Sequence, residues 1–235
     1  MPYDAGILGI AFDTYGNLYG SAGVNDTILR SFTPGGSTEV FETNAQLLNG
    51  LFVDSDQQLW VSDSFGDNIS RIDPDAGTIV EIVSSNASSA NGVFFDEQRG
   101  VLYWARFAQS QVYAAQITDG AAGPSAQVVD LEGSSDGMTM DECGNLYVVD
   151  QGGLGAGAPC RIDRIELTEG GSGVVDGGVV EVAGPGDIGN SCASLQFGYG
   201  FGNANDQALF VVGTQGDVYR VDAGVGGYPI TLPAG

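Results

Sequence analysis

Short runs of apolar residues, separated by polar turns, repeat along this chain at a regular spacing. The clearest run places a glycine before apolar positions that end in aspartate. Four copies fit this description: Leu8-Gly9-Ile10-Ala11-Phe12-Asp13, Asn49-Gly50-Leu51-Phe52-Val53-Asp54, Asn91-Gly92-Val93-Phe94-Phe95-Asp96 and Asp136-Gly137-Met138-Thr139-Met140-Asp141. A weaker fifth copy is Ala193-Ser194-Leu195-Gln196-Phe197-Gly198. Counted from glycine to glycine, with Ser194 in the last copy, the steps are 41, 42, 45 and 57 residues. The spacing indicates one structural unit repeated five times.

Each repeat continues with three more strand signals bounded by turn residues. In the second repeat they fall at residues 58–61, 69–72 and 79–83, and the final strand of the last repeat is predicted at residues 228–230. No 3.6-residue periodicity persists long enough to indicate a helix. Units of this length made of four short strands are typical of propeller blades. The sequence therefore predicts an all-β fold, a β-propeller of four-stranded antiparallel blades with five blades visible.

The predicted blades lie within a single domain that spans residues 1–235. Their approximate bounds are residues 6–43, 47–84, 89–130, 134–183 and 192–232. Two arrangements stay open. The chain is either a five-bladed ring closed by packing alone, or an arc of a larger ring whose first blade is missing.

The composition excludes several kinds of chemistry. The chain has 30 acidic and 7 basic residues, no histidine and a formal charge of −23. Without histidine there can be no Ser-His-Asp or Cys-His catalysis and no His-ligated zinc. The negative field repels phosphate backbones and anionic surfaces, and no apolar run is long enough to span a membrane. We therefore expect a monomer that binds neither nucleic acid nor membrane and uses carboxylates, amides, hydroxyls or an oxygen-bound cation.

The three cysteines occupy different predicted loops. Cys160 precedes a third strand and Cys192 precedes a first strand, which places both on one face in adjacent loops, whereas Cys143 lies in a turn on the opposite face. These positions predict a Cys160–Cys192 disulfide and a free Cys143, with three reduced thiols as the open alternative. A disulfide favours an extracellular or periplasmic location over the cytoplasm. Met1-Pro2-Tyr3-Asp4 does not resemble a signal peptide, so an export segment would have been removed from this sequence.

The fourth repeat carries the strongest resemblance to known proteins. Its stretch Ser135-Asp136-Gly137-Met138-Thr139-Met140-Asp141-Glu142-Cys143-Gly144-Asn145-Leu146-Tyr147-Val148 resembles the DGM-x-x-D-x-x-G-N-L-[WY]-V segment of the SMP-30/gluconolactonase/LRE-like propellers, which are related in style to NHL repeats. The repeat that opens with Asn91-Gly92 is similar to another blade of that family. Residues 195–198 and 209–212 are similar to its last blade.

The resemblance implies a metal-dependent site. Members of the family are typically six-bladed and bind a divalent cation through a Glu, an Asn and an Asp at the openings of innermost strands, with a second Asn nearby. By motif, Asp136 and Asn91 match the metal ligands, and Asn49 matches the nearby Asn and would contact the substrate. Asp136 would also be catalytic, by positioning or deprotonating the attacking water. The blade that bears the Glu has no counterpart, and Leu8 holds the equivalent position of the first repeat.

The residues themselves allow two interpretations of these positions. A radial arrangement would gather Asn49, Asn91 and Asp136 at the channel opening, and such an oxygen-only set favours calcium over zinc. Asn-Gly and Asp-Gly are also strong turn dipeptides, which would explain the same residues by backbone chemistry alone. Two functions follow. One is a metal-dependent hydrolase of a sugar lactone or small cyclic ester, and the other is a non-catalytic propeller that binds a small molecule or protein on the same face.

The aspartates that end the innermost strands have a different predicted role. We expect their carboxylates to bond within the following turn rather than to act on a ligand. These residues are Asp13, Asp54, Asp96 and Asp141.

Overall fold

The computed structural model describes residues 6–22, 27–31, 38–152, 159–190, 192–198, 206–213 and 216–229. Nearly all regular structure in these residues is β-strand, as the repeats predict. The helical elements among them are a 3-10 turn at Phe107–Gln109 and a short helix at Pro185–Ile188. Neither helical element of this part of the chain has the length and apolar character needed to cross a bilayer.

The described strands form five antiparallel sheets, one for each sequence repeat. The first contains β1 (Ile7–Phe12), β2 (Leu18–Ala22), β3 (Thr27–Ser31) and β4 (Thr38–Glu42). The second contains β5 (Leu48–Val53), β6 (Leu59–Asp63), β7 (Asn68–Asp73) and β8 (Thr78–Val83). In both sheets the strands are neighbours in chain order, so each sheet is a simple meander.

The remaining three sheets follow the same plan with local changes. The third contains β9 (Ala90–Asp96), β10 (Val101–Arg106), β11 (Gln111–Thr118) and β12 (Ala121–Ala122), and β13 (Ala126–Asp130) also pairs with β11. The fourth contains β14 (Ser134–Met140), β15 (Leu146–Gln151), β16 (Cys160–Leu167) and β17 (Val174–Ala183). The fifth contains β18 (Cys192–Phe197), β19 (Ala208–Gly213) and β20 (Val218–Asp222).

Contacts between residues divide the chain into two compact units. The first unit holds the first and second sheets together with β9 and β12. The second holds the fourth and fifth sheets together with β13, and strands β10 and β11 contribute residues to both units.

Aromatic and branched side chains fill each unit between neighbouring sheets. In the first unit the ring centroids of Trp60 and Phe95 lie 4.5 Å apart, and those of Phe52 and Phe94 lie 4.7 Å apart. In the second unit Tyr147 meets Phe197 edge to face at 5.4 Å. The apolar runs of the repeats are therefore the packed layers of the sheets.

The fifth repeat differs from the predicted four strands. Among its described residues the fifth sheet has three strands, and the segment predicted as its outer strand pairs elsewhere. The N–H of Tyr228 donates to the carbonyl of Met140 at 2.8 Å, and Gly227 bridges to Asp141 in the fourth repeat. Gly224, at φ +68°, turns the chain away after β20, and Pro229 has no N–H with which to extend a ladder. Residue 230 lies outside the described residues.

The aspartates that end the innermost strands bond within the following turns, which confirms their predicted structural role. Asp13 Oδ1 accepts the N–H groups of Tyr15 and Asn17 at 2.9 and 2.8 Å. Asp141 Oδ1 likewise accepts the N–H groups of Cys143 and Asn145 at 3.0 and 2.8 Å. Asp54 and Asp96 make equivalent bonds to the residues that follow them. These carboxylates hold the turn between first and second strands, and they explain why aspartate recurs there.

Candidate functional site

Two of the residues predicted to form the site, Asn49 and Asp136, lie at a recurring irregularity of the innermost strands. Strand pairing shifts register at the glycine motif in the first, second, fourth and fifth sheets. In the second sheet the shift falls between Leu48 and Leu51, and in the fourth it falls between Ser135 and Met138. Asn49 and Asp136 therefore occupy equivalent bulged positions. A bulge redirects the strand locally, which makes it a common device for aiming a side chain.

The glycine of the motif is required by close packing. A methyl group on Gly9 would collide with the carbonyl oxygen of Asn49, and one on Gly50 would collide with that of Asn91. In the second unit, a methyl group on Gly137 would lie within 2.8 Å of the carbonyl oxygen of Ala193. The glycine thus lets each of these innermost strands approach the strand of the next repeat. Close packing between neighbouring strands therefore explains the recurring glycine, and a turn at this position is not needed to explain it.

Two serines connect these strands in the first unit. Ser21 Oγ accepts the N–H of Gly9 at 2.8 Å and donates to the carbonyl of Asn49 at 2.5 Å. Ser62 Oγ does the same between Gly50, at 2.8 Å, and the carbonyl of Asn91, at 2.6 Å. The backbone carbonyls of both predicted site asparagines are therefore engaged in holding adjacent strands together.

The structure brings Asn49 and Asn91 onto neighbouring innermost strands, where both are half-buried. The Asn49 amide nitrogen donates to Ser64 Oγ at 3.2 Å, and Ser64 Oγ donates to the carbonyl of Ala90 at 2.6 Å. One half of the Asn49 amide is thus used by the protein, while its oxygen can still accept.

Asp136 lies in the second unit and is buried, with 8% of its surface exposed. Its Oδ2 accepts a hydrogen bond from the Gln151 side-chain amide. Burial raises the pKa of the Asp136 carboxyl to about 8, although hydrogen bonds from the Gly137 N–H and from Gln151 act to lower it. No cationic side chain among the described residues acts on this group. A buried carboxyl of this kind is neutral at pH 7 unless a cation or proton acceptor reaches it.

The convergence of Asp136 with Asn49 and Asn91 stays a prediction, because these residues belong to different units. Within the described ranges, no three His, Cys, Asp or Glu side chains are grouped closely enough to hold a metal. The chemistry of the predicted donors still fits a hard cation, since one buried carboxylate and amide oxygens are what calcium prefers.

The disulfide pairs the two cysteines that the loop positions predict. Cys160 and Cys192 are bonded, with Cα atoms 5.9 Å apart, and both are fully buried in the core of the second unit. Cys143 is free and exposed. The bond joins the start of β16 to the start of β18.

A charged cluster that the sequence patterns did not predict lies beside Asp136. Asp150, next to Gln151, pairs through Oδ2 with Arg161, and Arg161 also bonds Glu132 at 2.7 Å and Asp163 at 3.2 Å. Burial raises the pKa of Asp163 to about 6 despite the nearby Arg161. One sequence feature could have pointed to this cluster. Asp150 recurs at the position that Asp63 holds in the second repeat, as the strand register shows.

No family model and no curated protein matches this sequence. The structure, however, is similar to solved structures over almost its whole length. A proposed gluconolactonase matches with a TM-score of 0.73 at 18% identity, over 98% of this chain and 78% of that one. A chain of a nidogen/laminin complex matches with a TM-score of 0.72 at 18% identity, over 94% and 77%. A luciferin-regenerating enzyme matches with a TM-score of 0.62 at 17% identity, over 97% and 94%.

The chain has the β-propeller fold. The resemblance of its repeats to the SMP-30/gluconolactonase/LRE-like propellers is thus supported at the level of the fold. At these identities the similarity does not extend to activity, since propellers carry many functions. The chemistry of this propeller has to be inferred from its own side chains.

Proposed function

We propose that this propeller hydrolyses a sugar lactone or similar small cyclic ester, with Asp136 as the catalytic residue and a divalent cation as cofactor. The observation that carries the proposal is the buried Asp136 carboxyl, whose pKa is raised to about 8. A general base works best when its pKa lies near the operating pH, and strongly perturbed carboxyls concentrate at functional sites.

Asp136 would position the attacking water and accept its proton. In its ionised form the carboxylate is held by the Gln151 amide and the Gly137 N–H, which fix its orientation. Gln151 is therefore a positioning residue. Asn91 and Asp136 would hold the cation, calcium rather than zinc because the donors are oxygens, and Asn49 would bind substrate through its remaining amide oxygen. When bound, the cation would polarise the ester carbonyl and favour the ionised form of Asp136.

A non-catalytic ligand-binding propeller is the second candidate. Leu8 occupies the bulged position of the first sheet, and Leu8 offers no side-chain donor or ligand there. The amide nitrogen of Asn49 is already bonded to Ser64. These features suit a site in which polar groups serve packing and only part of a metal site is kept.

Lactone hydrolysis is tested with gluconolactone in a pH-indicator assay, with calcium, zinc or chelator present. We expect cation-dependent turnover that falls by about 100-fold or more in Asp136→Asn, since a positioned base contributes on this scale. Asp176→Asn, an exposed aspartate of β17, is the matched control and should keep full activity.

The pH profile separates the two candidates. With chelator present, residual turnover should rise as the pH passes about 8, where Asp136 ionises, and calcium should move that rise to lower pH. Absence of turnover under every condition, with saturable lactone binding retained, would favour the non-catalytic candidate. Monomeric state and an extracellular or periplasmic location also remain proposals.

A further inference from the structure

An exposed phenylalanine lies in the first unit at the same end of the second sheet as Asn49. Phe65 occupies the loop between β6 and β7, and 68% of its surface is exposed. A single apolar side chain on a protein surface needs no explanation of its own. The contacts of the residues around Phe65, however, connect this ring to the predicted substrate-binding residue.

The loop that carries Phe65 begins at the residue that holds the Asn49 side chain. Ser64 Oγ accepts a hydrogen bond from the Asn49 amide nitrogen at 3.2 Å and donates to the carbonyl of Ala90 at 2.6 Å. Phe65 follows Ser64 directly, so their Cα atoms are about 3.8 Å apart. The exposed ring and the Asn49 amide oxygen, which can still accept a hydrogen bond, are therefore neighbours within the first unit.

One buried carboxylate fixes the backbone of this loop. Asp63, which is 2% exposed, accepts the N–H groups of Phe65 and Gly66 on Oδ1 at 3.3 and 2.9 Å. The same carboxylate accepts the N–H groups of Gln46 and Leu47, both at 2.8 Å, from the loop that leads into β5. Two loops are thus held together before any ligand arrives. A ligand that packs on Phe65 would not have to order the loop, which lowers the cost of binding.

The aromatic ring is not inherent in the repeat. Strand register aligns Asp63 with Asp150 of the fourth sheet, and Gly152 therefore holds the position of Phe65 there. Because Gly152 has no side chain, the blade does not need an apolar group at this position. The ring of Phe65 also contributes little to the core, since most of its surface is open to solvent. Neither the repeat nor core packing accounts for it.

A phenyl ring next to an amide oxygen suits a neutral, ring-shaped ligand with hydroxyl groups. A sugar lactone carries its hydroxyl groups around the rim and presents C–H groups on the faces of the ring. A hydroxyl group can donate to the Asn49 amide oxygen, while a C–H face packs on Phe65 and loses its water. Binding sites commonly combine an apolar surface with a few polar groups that fix orientation in this way.

We propose that Phe65 is a specificity-determining residue, the apolar wall on which a ring-shaped neutral substrate packs beside Asn49. The inference rests on the proposed function for the identity of the substrate as a lactone. It narrows the substrate class to lactones whose ring presents a C–H face. Phe65 acts on the binding of the substrate and not on the hydrolytic step, because it offers no group that could exchange a proton or polarise the ester.

The first test is the change in KM and in kcat for gluconolactone in Phe65→Ala. We expect KM to rise by about tenfold with kcat nearly unchanged, since burial of one face of an aromatic ring contributes on this scale. Phe65→Trp keeps an aromatic wall and should have a KM within about threefold of the wild-type value. Phe12→Ala is the matched control, because Phe12 is 60% exposed in the same unit, at the end of β1 away from its bulge.

Calorimetry with 1,5-anhydroglucitol tests the wall without hydrolysis. This compound keeps a sugar ring with hydroxyl groups and has no ester to cleave. We expect saturable binding that is about tenfold weaker in Phe65→Ala and unchanged in Phe12→Ala. Glucitol, the open-chain analogue, has no ring face and should bind more weakly, with no dependence on Phe65. Because Phe65 is exposed, its replacement should leave the fold intact.

Failure of this inference differs from failure of the proposed function. Hydrolysis of gluconolactone with an unchanged KM in Phe65→Ala would overturn the inference and leave the hydrolase proposal standing. Binding of anhydroglucitol that depends on Phe65, without any turnover of gluconolactone, would support the wall and contradict the hydrolase. Absence of both turnover and binding would contradict both. Equal effects of Phe65→Ala and Phe12→Ala would also overturn the assignment.

Discussion

The bulged openings of the second and fourth sheets place different chemistry on the same strand positions. In the second sheet the Asn49 side chain donates a hydrogen bond to Ser64. Asp63 lies opposite Asn68, and its carboxylate accepts hydrogen bonds from backbone N–H groups. In the fourth sheet Asp136 bonds Gln151, and Asp150 lies opposite Arg161.

The difference shows what one amide-to-acid exchange does inside this fold. Asn49 is neutral and half-buried, so its hydrogen bond requires no compensating charge. Asp136 is buried at the corresponding position, where the cost of desolvating its charged form raises the pKa to about 8. The scaffold is shared, and the second sheet places a neutral amide on it, while the fourth sheet buries a carboxyl of raised pKa beside the ion pairs of Arg161.

The largest expected effect is a pH-dependent stability that comes from Asp136 in the fourth sheet and has no counterpart at Asn49. The pKa of Asp136 is about 8 in the folded chain and about 3.8 when exposed, so the folded state holds a proton that the unfolded state has lost between these values. The free energy of unfolding should therefore fall as the pH rises through this window, by on the order of 1.4 kcal/mol per pH unit.

Urea unfolding from pH 5 to 8 with chelator present measures this slope. Asp136→Asn should remove the contribution, and Asn49→Ala, at the matching position, should leave the slope unchanged. Burial also raises the pKa values of Asp54 and Asp163, so part of the slope should persist in Asp136→Asn. A slope as steep as that of the wild type would show that Asp136 does not carry this effect.

The next effect concerns Arg161 and Asn68, which lie opposite Asp150 and Asp63 on the neighbouring strands. Arg161→Asn gives the fourth sheet the residue that the second sheet has at Asn68, and leaves Asp150 buried without its cation. We expect a loss of about 2–3 kcal/mol in the free energy of unfolding, because a buried charge that loses its partner is strongly destabilising. Asn68→Ala should cost less than about 1 kcal/mol. Urea unfolding measures both losses. Similar losses in the two variants would mean that the ion pair between Arg161 and Asp150 does not stabilise the fourth sheet more than the side chain of Asn68 stabilises the second.

The smallest effect concerns the serine link between adjacent strands. Ser62→Ala leaves the Gly50 N–H and the Asn91 carbonyl without their shared partner, which should cost about 1–2 kcal/mol. Ser70→Ala, on the next strand, removes a long bond of 3.4 Å to Asn68 and should cost clearly less. In the fourth sheet Val149 holds the position of Ser62, so this serine link is absent there. Equal losses of stability in Ser62→Ala and Ser70→Ala would mean that the link contributes nothing special to the second sheet.

Much of the fold could be predicted from the sequence because its signals are local. The recurring Asp13 and Asp141 carboxylates accept N–H groups only two and four residues away. The turn of each repeat can therefore be predicted from the residues of that repeat. The outer strand of the fifth repeat could not be predicted in the same way. Tyr228 bonds to Met140, and that partner lies far away in the chain.

The equivalence of the candidate positions was predictable from the sequence, whereas the surroundings of each side chain were not. Asn49 and Asp136 share a motif, but the sequence does not show that one is half-buried and the other is buried beside Gln151. Asp150 and Asp63 occupy the same place in the repeat, yet one binds Arg161 and the other binds backbone. Burial and partners depend on residues brought in from other strands.

By itself, the sequence determined the repeat, the strand order within most blades and the identity of the turn aspartates. These follow from hydrophobic alternation and from hydrogen bonds within a few residues. Only the tertiary structure decided why glycine opens the innermost strand, how far Asp136 is desolvated and which cation pairs with Asp150. Those properties depend on atoms that approach through space, and a desolvation energy exists only once the chain has excluded water from the group.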